Sequence, residues 1–516
     1  MPRDAPTPRP TATSTLHNVG GWTTRRAAIA GDRPALVDAE RSLDYSALHD
    51  RTCRLVGVLR EAGVERGDRV ALLLGNRSAY VEAVFAAARR GAIAVPINAR
   101  FTAPEVARVL ADAEPALLLH EAALAELAAQ ACEGLAAPPR RLRCPDVYEQ
   151  ALAQAPRCEE LAAVSPDDPM ILMYTSGTTG APKGALLPHR KTLFNSLNAQ
   201  LFFGLTGDDR VLVPLPLFHS FGLLILALPA LYTGARVELL PRFDAEATWQ
   251  RVAASDITLL GGVPTQLQAL LEAIPEREAR RSLRFLFGAG AAVPVDQIRA
   301  FEQRGVVLKQ GYGQTETSIL TCLDARDALR KAGSVGRPVF HADVRVVGVP
   351  EADAPPESWR ETDPGETGEI VVRGPITMLG YWRRPDATAE TIRGEWLRTG
   401  DLATRDPEGF LYLVGRERDM YISGGENVYP AEVEHALAEH PSVREVAVIG
   451  VPDARWGETG RAYVVTERGC TLDAAELAAF AAERLARFKL PREYVAIDAL
   501  PRNETGKVQK QRLPRE

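Results

Sequence analysis

Up to about Gly333 the chain alternates short apolar runs with longer stretches whose apolar residues recur every three or four positions. Residues 35–37 and 43–45 predict a hairpin, and 46–62 a helix with one apolar face. A strand over 69–74, a helix over 78–90 and a second strand over 92–96 follow at the spacing of a parallel βαβ unit. A helix from Pro104 and the apolar run 116–119 repeat the pattern, and the stretch 133–165, rich in Ala, Pro and Arg, predicts loop before a buried strand over 171–174. From Arg210 the alternation resumes with strands over 211–213, 236–240, 258–260 and 285–287, a helix over 245–254 and another after Pro264. This is the pattern of doubly wound α/β sheets, which bind ligands beyond the carboxyl ends of their strands.

After Gly333 the texture changes. Strands over 344–347, 368–373 and 410–414 are joined by Gly, Pro and Asp with little helix between them, which predicts a small β-barrel-like subdomain over about 334–415. A compact α+β piece follows, with helices over 430–440 and 473–487 and strands over 446–450, 463–466 and 494–497. The expected organisation is a disordered tail over 1–16, a large α/β domain over 17–417 that includes the β-rich subdomain, and a small mobile domain over 418–516.

A chain of 516 residues is too long for one core, in agreement with several domains. A formal charge of -6 leaves no electrostatic footprint for nucleic acid, so none is expected as a partner. The six cysteines lie far apart without metal-ligand spacing, and the N-terminus lacks the apolar core of a secretion signal; cytoplasm is the expected location. The most apolar run, 221–232, is shorter than a bilayer span and broken by Pro229, which predicts a buried helix or pocket wall and no transmembrane segment.

Chemistry concentrates in residues 174–184, Tyr-Thr-Ser-Gly-Thr-Thr-Gly-Ala-Pro-Lys-Gly. Gly177, Gly180 and Gly184 give the backbone freedom to take positive φ and approach a ligand, Thr175, Ser176, Thr178 and Thr179 supply hydroxyls, and Lys183 adds a cation. The combination is an anion cradle. Walker A is excluded, since Lys183 is followed by Gly184 and not by Ser or Thr. A second glycine turn, residues 311–316, offers the Tyr312 ring for a base, the Thr315 hydroxyl, and Glu316 as a hard oxygen for Mg2+. Asp401 could accept from two ribose hydroxyls with Arg416 nearby as a donor.

These stretches resemble the motifs of the adenylate-forming superfamily of acyl-CoA synthetases, nonribosomal adenylation domains and firefly-type luciferases. The wording matches at 174–184, at Gly-Tyr-Gly-Gln-Thr-Glu (311–316, with Gln314 where Met is commoner), at Thr-Gly-Asp (399–401) with Gly415-Arg416, and at Pro-Arg-Asn-Glu-Thr-Gly-Lys (501–507). The resemblance covers nearly all of the chain past residue 30 and implies an ATP-dependent, AMP-forming acyl-CoA ligase.

It further implies that the loop residues Thr175 to Gly180 with Lys183 hold phosphates, that Gly290, Ala291, Ala292, Tyr312 and Gly313 surround the adenine, and that Thr315 meets the α-phosphate. Glu316 would carry the metal, Asp401 and Arg416 the ribose, and Lys507 would stabilise the charge built up in adenylation. Arg418 stands at the hinge position, where Asp or Lys is commoner, and Ser423, Gly424, Gly425 and Glu426 would line the CoA side. His219, within Pro-Leu-Phe-His-Ser-Phe-Gly (216–222), would gate the acid pocket, with Phe221, Val263, Gly288 and Gly311 lining it. That apolar lining points to a hydrophobic carboxylic acid, whether fatty, aryl or polycyclic. Free CoA is the expected acceptor, as no carrier follows residue 516, and a homodimer is allowed. A ligase that loads a separate carrier protein and a nucleotide-binding homologue without turnover are the alternatives.

Overall fold

The computed structural model describes residues 13–175, 183–290, 293–350, 354–416, 419–423, 426–453, 456–485, 487–502 and 508–515. They form two compact units, one from Met1–Ala332, Pro338–Asp343 and Arg373–Glu395, the other from Gly333–Arg337, Val344–Val372 and Trp396–Glu516.

The first unit is α/β and contains two large sheets. One has seven strands in the order Gly380–Tyr381, Lys183–Pro188, Pro169–Thr175, Ile93–Pro96, Arg69–Leu73, Leu117–Glu121 and Arg140–Cys144. Its last four neighbours pair in parallel, as the βαβ spacing predicts, and the helix Ala103–Ala113 seals one face with Val106, Val109 and Leu110 against Ala71, Val95 and Leu118. The stretch 133–165 is not loop throughout. It holds the strand Arg140–Cys144 and the helix Asp146–Gln154, whose arginines and alanines hide a strand that alternates only at Leu142 and Cys144.

In the other sheet the strands Leu308–Gln314, Phe285–Gly288, Leu259–Gly262, Arg210–Val213, Arg236–Leu239 and Pro34–Val37 run in spatial order, all parallel. The antiparallel strands Ser318–Leu323 and Ser42–Asp44 extend it at either end. Helices cover both faces. Leu212, Leu260, Leu286 and Leu308 pack on the helices Ala245–Ala254, Pro264–Glu272 and Val295–Gln303. Phe285 and Phe287, one position out of phase, pack on Phe203 of the helix His189–Phe203. That helix and the strands Lys183–Pro188 and Ser318–Leu323 are additions to the sequence expectation. The run 221–232 is buried helix as expected, but its first part, Phe221–Ala227, is wound as a π-helix before the α-helix Leu228–Thr233. Ser14, in the expected tail, exchanges two backbone hydrogen bonds with Val164 (2.9 and 3.2 Å).

In the second unit the strands Gly368–Arg373, Trp396–Arg405 and Leu411–Arg416 pair antiparallel, with bulges between Glu369 and Val371 and between Leu402 and Ala403. Such bulges raise the twist and curl a sheet toward a half-barrel. The C-terminal α+β part sets the helices Pro430–Ala438 and Ala474–Ala482 against Val443–Asp453 and Gly457–Thr466, sharing a core of Val433, Leu437, Val448, Val464 and Leu477. By contact, the strands over 396–416 group with this part. The border expected at Arg418 falls outside the described residues.

All six cysteines are free thiols. Cys53 and Cys144 are buried, Cys132, Cys158 and Cys322 half-buried, and Cys470 exposed. No helix among the described residues is long and apolar enough to cross a membrane.

Candidate active site

The strands Pro169–Thr175 and Lys183–Pro188 form an antiparallel hairpin in which Tyr174 faces Gly184 and Thr175 faces Lys183. The Thr175 hydroxyl donates to the Lys183 carbonyl at 3.3 Å and closes the stem. Ser176, Gly177, Thr178, Thr179 and Gly180 lie outside the described residues. Gly184 corrects the expectation of a flexible loop glycine. It sits in a regular strand, and a Cβ there would come within 2.7 Å of Leu172 and 3.2 Å of the Tyr174 ring, so cross-strand packing requires it.

Tyr381, which no motif pointed to, ties this hairpin to the next. It pairs with Ala185, places its ring 5.4 Å from the Lys183 ammonium, and donates its hydroxyl to Glu316 Oε1 at 3.0 Å. The backbone N–H of Met378 also donates to the Glu316 carbonyl (2.8 Å). One short strand therefore joins the base of the phosphate hairpin to the carboxylate.

Gly311–Gln314 is strand and not a glycine turn; the turn is Thr315–Thr317, with Gln314 paired to Ser318. Glycine serves packing here. A Cβ on Gly311 would meet the Phe287 ring at 2.7 Å, and one on Gly313 would sit 1.8 Å from the Ser318 carbonyl oxygen. The turn is held by the N–H of Gln314 donating to Thr317 Oγ1 (3.1 Å) and by the N–H of Thr317 donating to the Gln314 carbonyl (3.2 Å). Tyr312, Thr315 and Glu316 are half-buried. Ser318 adopts φ 62°, a conformation uncommon outside glycine. Its hydroxyl accepts from the Lys191 ammonium, and the fully buried Lys191 has its pKa pushed down to about 7 by burial, opposed in part by the Glu316 charge.

Gly290, at φ 87°, ends the turn after the strand Phe285–Gly288, with room for no more than a tight contact to Val263 (3.3 Å). Ala291 and Ala292 lie outside the described residues. Phe221 stacks edge-to-face on Phe287 at 5.6 Å, and its ring lies 2.9 Å from where a Gly261 Cβ would stand. Phe221, Phe287, Gly261 and Gly311 thus share one apolar face. Gly288 does not belong to it. Strand alternation turns its missing side chain toward Val293, Leu267 and Leu308 on the opposite face.

His219 heads the π-helix, where Leu223 N–H donates to its carbonyl (3.1 Å). Asn76 fixes the preceding loop by donating to Leu215 O (2.8 Å) and accepting from Leu217 N–H (2.9 Å). The ring Nε2 is buried with no partner among the described residues, and burial, assisted by the Arg100 charge, pushes the His219 pKa down to about 4. The imidazole is neutral near pH 7.

In the second unit Asp401 faces Arg416 across two strands, joined by an ion pair at 2.9 Å in which Asp401 is buried and Arg416 half-exposed. Thr399 Oγ1 accepts from the Asp401 N–H (3.1 Å) and donates to Ile370 O (2.7 Å), while Glu369 Oε1 accepts from the N–H of Gly400, whose φ is 68°. The pair foreseen from sequence is brought together. Ser423 is buried in the strand Tyr421–Ser423, paired with Glu426. Arg418, Gly424, Gly425 and Lys507 lie outside the described residues; Arg502 and Val508 bridge around the segment that includes Lys507.

Residues 23–382 match the family model described as AMP-binding enzyme, and 432–507 the AMP-binding enzyme C-terminal domain. The chain belongs to the AMP-binding enzyme family. Among similar proteins, feruloyl-CoA synthase of an Amycolatopsis species is 42% identical over 494 residues, 95% of this chain and 97% of the relative. Indoleacetate–CoA ligase of Aromatoleum aromaticum is 40% identical over 504 residues, covering 95% and 96%. ATP-bound MatB from Rhodopseudomonas palustris superposes with a TM-score of 0.87 at 32% identity, covering 95% and 97%. The o-succinylbenzoate CoA synthetase of Bacillus subtilis, solved with its acyl-adenylate intermediate, gives 0.84 at 33%, again covering 95% and 97%.

Within this AMP-binding enzyme, motif reading passed over Tyr381, which contacts Lys183 and Glu316, Gly261, which packs on Phe221, and Lys191, which contacts Ser318. Tyr381 stands in a Gly-Tyr-Trp run that could have marked a packed strand end. Lys191 sits in a polar segment that looks like surface.

Proposed function

We propose that this AMP-binding enzyme is an AMP-forming acid–CoA ligase acting on aryl or fatty acids, with a hydrophobic aryl acid as its preferred substrate. The observation that carries the reading is the Tyr381 bridge, which sets the Lys183 ammonium over the ring and the Glu316 carboxylate at the hydroxyl of one phenol. A cation for phosphate oxygens and a carboxylate for the accompanying metal are what ATP activation requires.

The substrate carboxylate oxygen attacks the α-phosphorus of ATP, the bond to the bridging oxygen breaks, and pyrophosphate leaves. In the second step the CoA sulfur attacks the acyl carbon of the adenylate and AMP departs. Lys183 and the hydroxyls of its loop hold the phosphates, Asp401 and Arg416 the ribose, Tyr312 with Gly290 the base, and Lys507 neutralises the charge developing between carboxylate and α-phosphate. Among the described residues no three His, Cys, Asp or Glu side chains cluster into a metal cage. A lone carboxylate fits Mg2+, which keeps several waters and arrives on triphosphate. When bound it supplies charge neutralisation at the phosphates; Glu316, oriented by Tyr381, would hold it.

The Phe221–Phe287 edge-to-face pair favours a flat ring that extends the stack, and the neutral His219 imposes no charge on the acid. Relatives at 42% and 40% identity are named for feruloyl and indoleacetate, both aryl acids, which points the same way. The test is pyrophosphate release with Mg·ATP over arylacrylic, arylacetic, benzoic and fatty acids, with and without CoA, and with Lys507→Ala alongside. Release confined to one acid class and dependent on Lys507, with thioester formed only when CoA is present, is expected. No release over the panel would overturn the reading.

A further inference from the structure

The helix His189–Phe203 carries polar side chains on its buried side. Lys191, Asn195 and Asn198, spaced four and three residues apart on one stripe, are all sealed from solvent. Each reaches a neighbouring segment, the two asparagines at its backbone and Lys191 at a side-chain hydroxyl. Asn198 Oδ1 accepts from the N–H of His341 (3.1 Å), Asn195 Oδ1 from the N–H of Ile319 (3.2 Å), and Lys191 donates to Ser318 Oγ. Two of the three contacts therefore fall on the residues that end the Thr315–Thr317 turn.

Burying an ammonium is costly, and a neutral side chain of the same length would fill the space at lower cost. Among the described residues no carboxylate lies within ion-pairing range of Lys191, so its burial is not explained by a salt bridge. What it does contact is Ser318, whose left-handed backbone is the reverse side of the close approach between Gly313 and the Ser318 carbonyl. Two residues upstream stands Glu316, tied on its other side by Met378 and Tyr381. The turn is thus clamped from beneath by the helix and from the flank by the strand.

We propose that Lys191 is a positioning residue for adenylation: through Ser318 it fixes the Thr315–Ser318 turn so that the Glu316 carboxylate and the Thr315 hydroxyl meet Mg·ATP in one geometry. This rests on Glu316 acting as the metal carboxylate. Lys191 touches neither substrate nor metal; it acts through the turn. Displacing reacting groups by about 1 Å costs on the order of 100-fold in rate, which sets the scale of the effect.

Lys191→Met keeps the length and removes the cation, and Ser318→Ala keeps the cation and removes its acceptor. In the metal-free, nucleotide-free enzyme, hydrogen exchange at the amides of Gln314, Thr317 and Ile319 is expected to quicken in both variants. Pyrophosphate-forming turnover should fall by about 10- to 100-fold in Lys191→Met, with a higher Mg2+ concentration at half-saturation. Thioester formation from chemically prepared acyl-adenylate and CoA, which does not call on Glu316, should stay at the wild-type rate. Adding Lys191→Met to Glu316→Gln should slow adenylation by less than Lys191→Met does alone, since the two act through one turn.

Equal loss in both half-reactions, or unchanged exchange at the three amides in both variants, would overturn the proposal and leave Lys191 a filler of the core. If Lys191→Met fails to fold, the same readouts on Ser318→Ala decide. Glu316→Gln with wild-type adenylation and Mg2+ dependence would instead strike at the assignment of Glu316, and this proposal would fall with it.

Discussion

At the scale of single residues, two buried histidines have opposite claims on chemistry. His219 keeps a buried ring nitrogen without a partner among the described residues, whereas His189 holds structure: its Nδ1 accepts the N–H of Val19 at 3.2 Å, and burial pushes its pKa down to about 4. The folded state therefore refuses a proton that the unfolded chain accepts near pH 6.5, so stability is lost as pH falls from about 6.5 to 4 and levels off below. A shift of this size is worth about 3 kcal/mol at the acid end. His189→Asn, which keeps an acceptor and cannot titrate, should flatten the decline by up to that amount, read by urea denaturation at pH 7 and pH 4.5. Gly313 yields a second expectation. An alanine there would force its Cβ against the Ser318 carbonyl oxygen, so Gly313→Ala should lower stability by about 1–3 kcal/mol and disable adenylation, checked by melting and pyrophosphate release.

At the scale of elements, the parallel strands were legible as short apolar runs, as in Arg210–Val213, and helices where apolar positions recur every three or four residues, as in Ala103–Ala113 with Val106, Val109, Leu110 and Ala113 buried. The helix His189–Phe203 was not, since the side it buries is polar: Asn195 and Asn198 satisfy backbone groups of neighbouring segments and Lys191 a side-chain hydroxyl, and hydrophobic periodicity cannot report that. The hairpin Leu308–Gln314 with Ser318–Leu323 was hidden for a related reason. Its glycines look like turn residues, yet they are there because Phe287 and Ser318 leave no room for a side chain. The pairing of Asp401 with Arg416 was legible in the sequence, but contacts such as that of Tyr381 with Glu316 depend on sheet order, which local sequence does not encode. The strand Leu259–Gly262 carries a prediction of its own. Gly261→Ala would press on Phe221 and Leu226, narrowing the apolar face, so kcat/KM for a bulky aryl acid should fall by about 10- to 200-fold relative to a small one.

For the whole molecule, likeness to other AMP-binding enzymes spans 95% of the chain, so both compact units belong to one inherited plan. The first unit brings together Lys183, Tyr381 and Glu316, and the second holds Asp401 beside Arg416. The thiols divide unevenly over this plan. Burial raises the pKa of Cys53, Cys132, Cys144 and Cys322, and Cys470, in the second unit, is alone in being exposed. A maleimide fluorophore offered to the native enzyme at neutral pH should accordingly attach first at one address. Intact-mass analysis with peptide mapping should show the first adduct on Cys470, with the buried Cys53 and Cys144 reacting only in denaturant. The fold thus gives an optical label a preferred address in its second unit, with no cysteine to be engineered in.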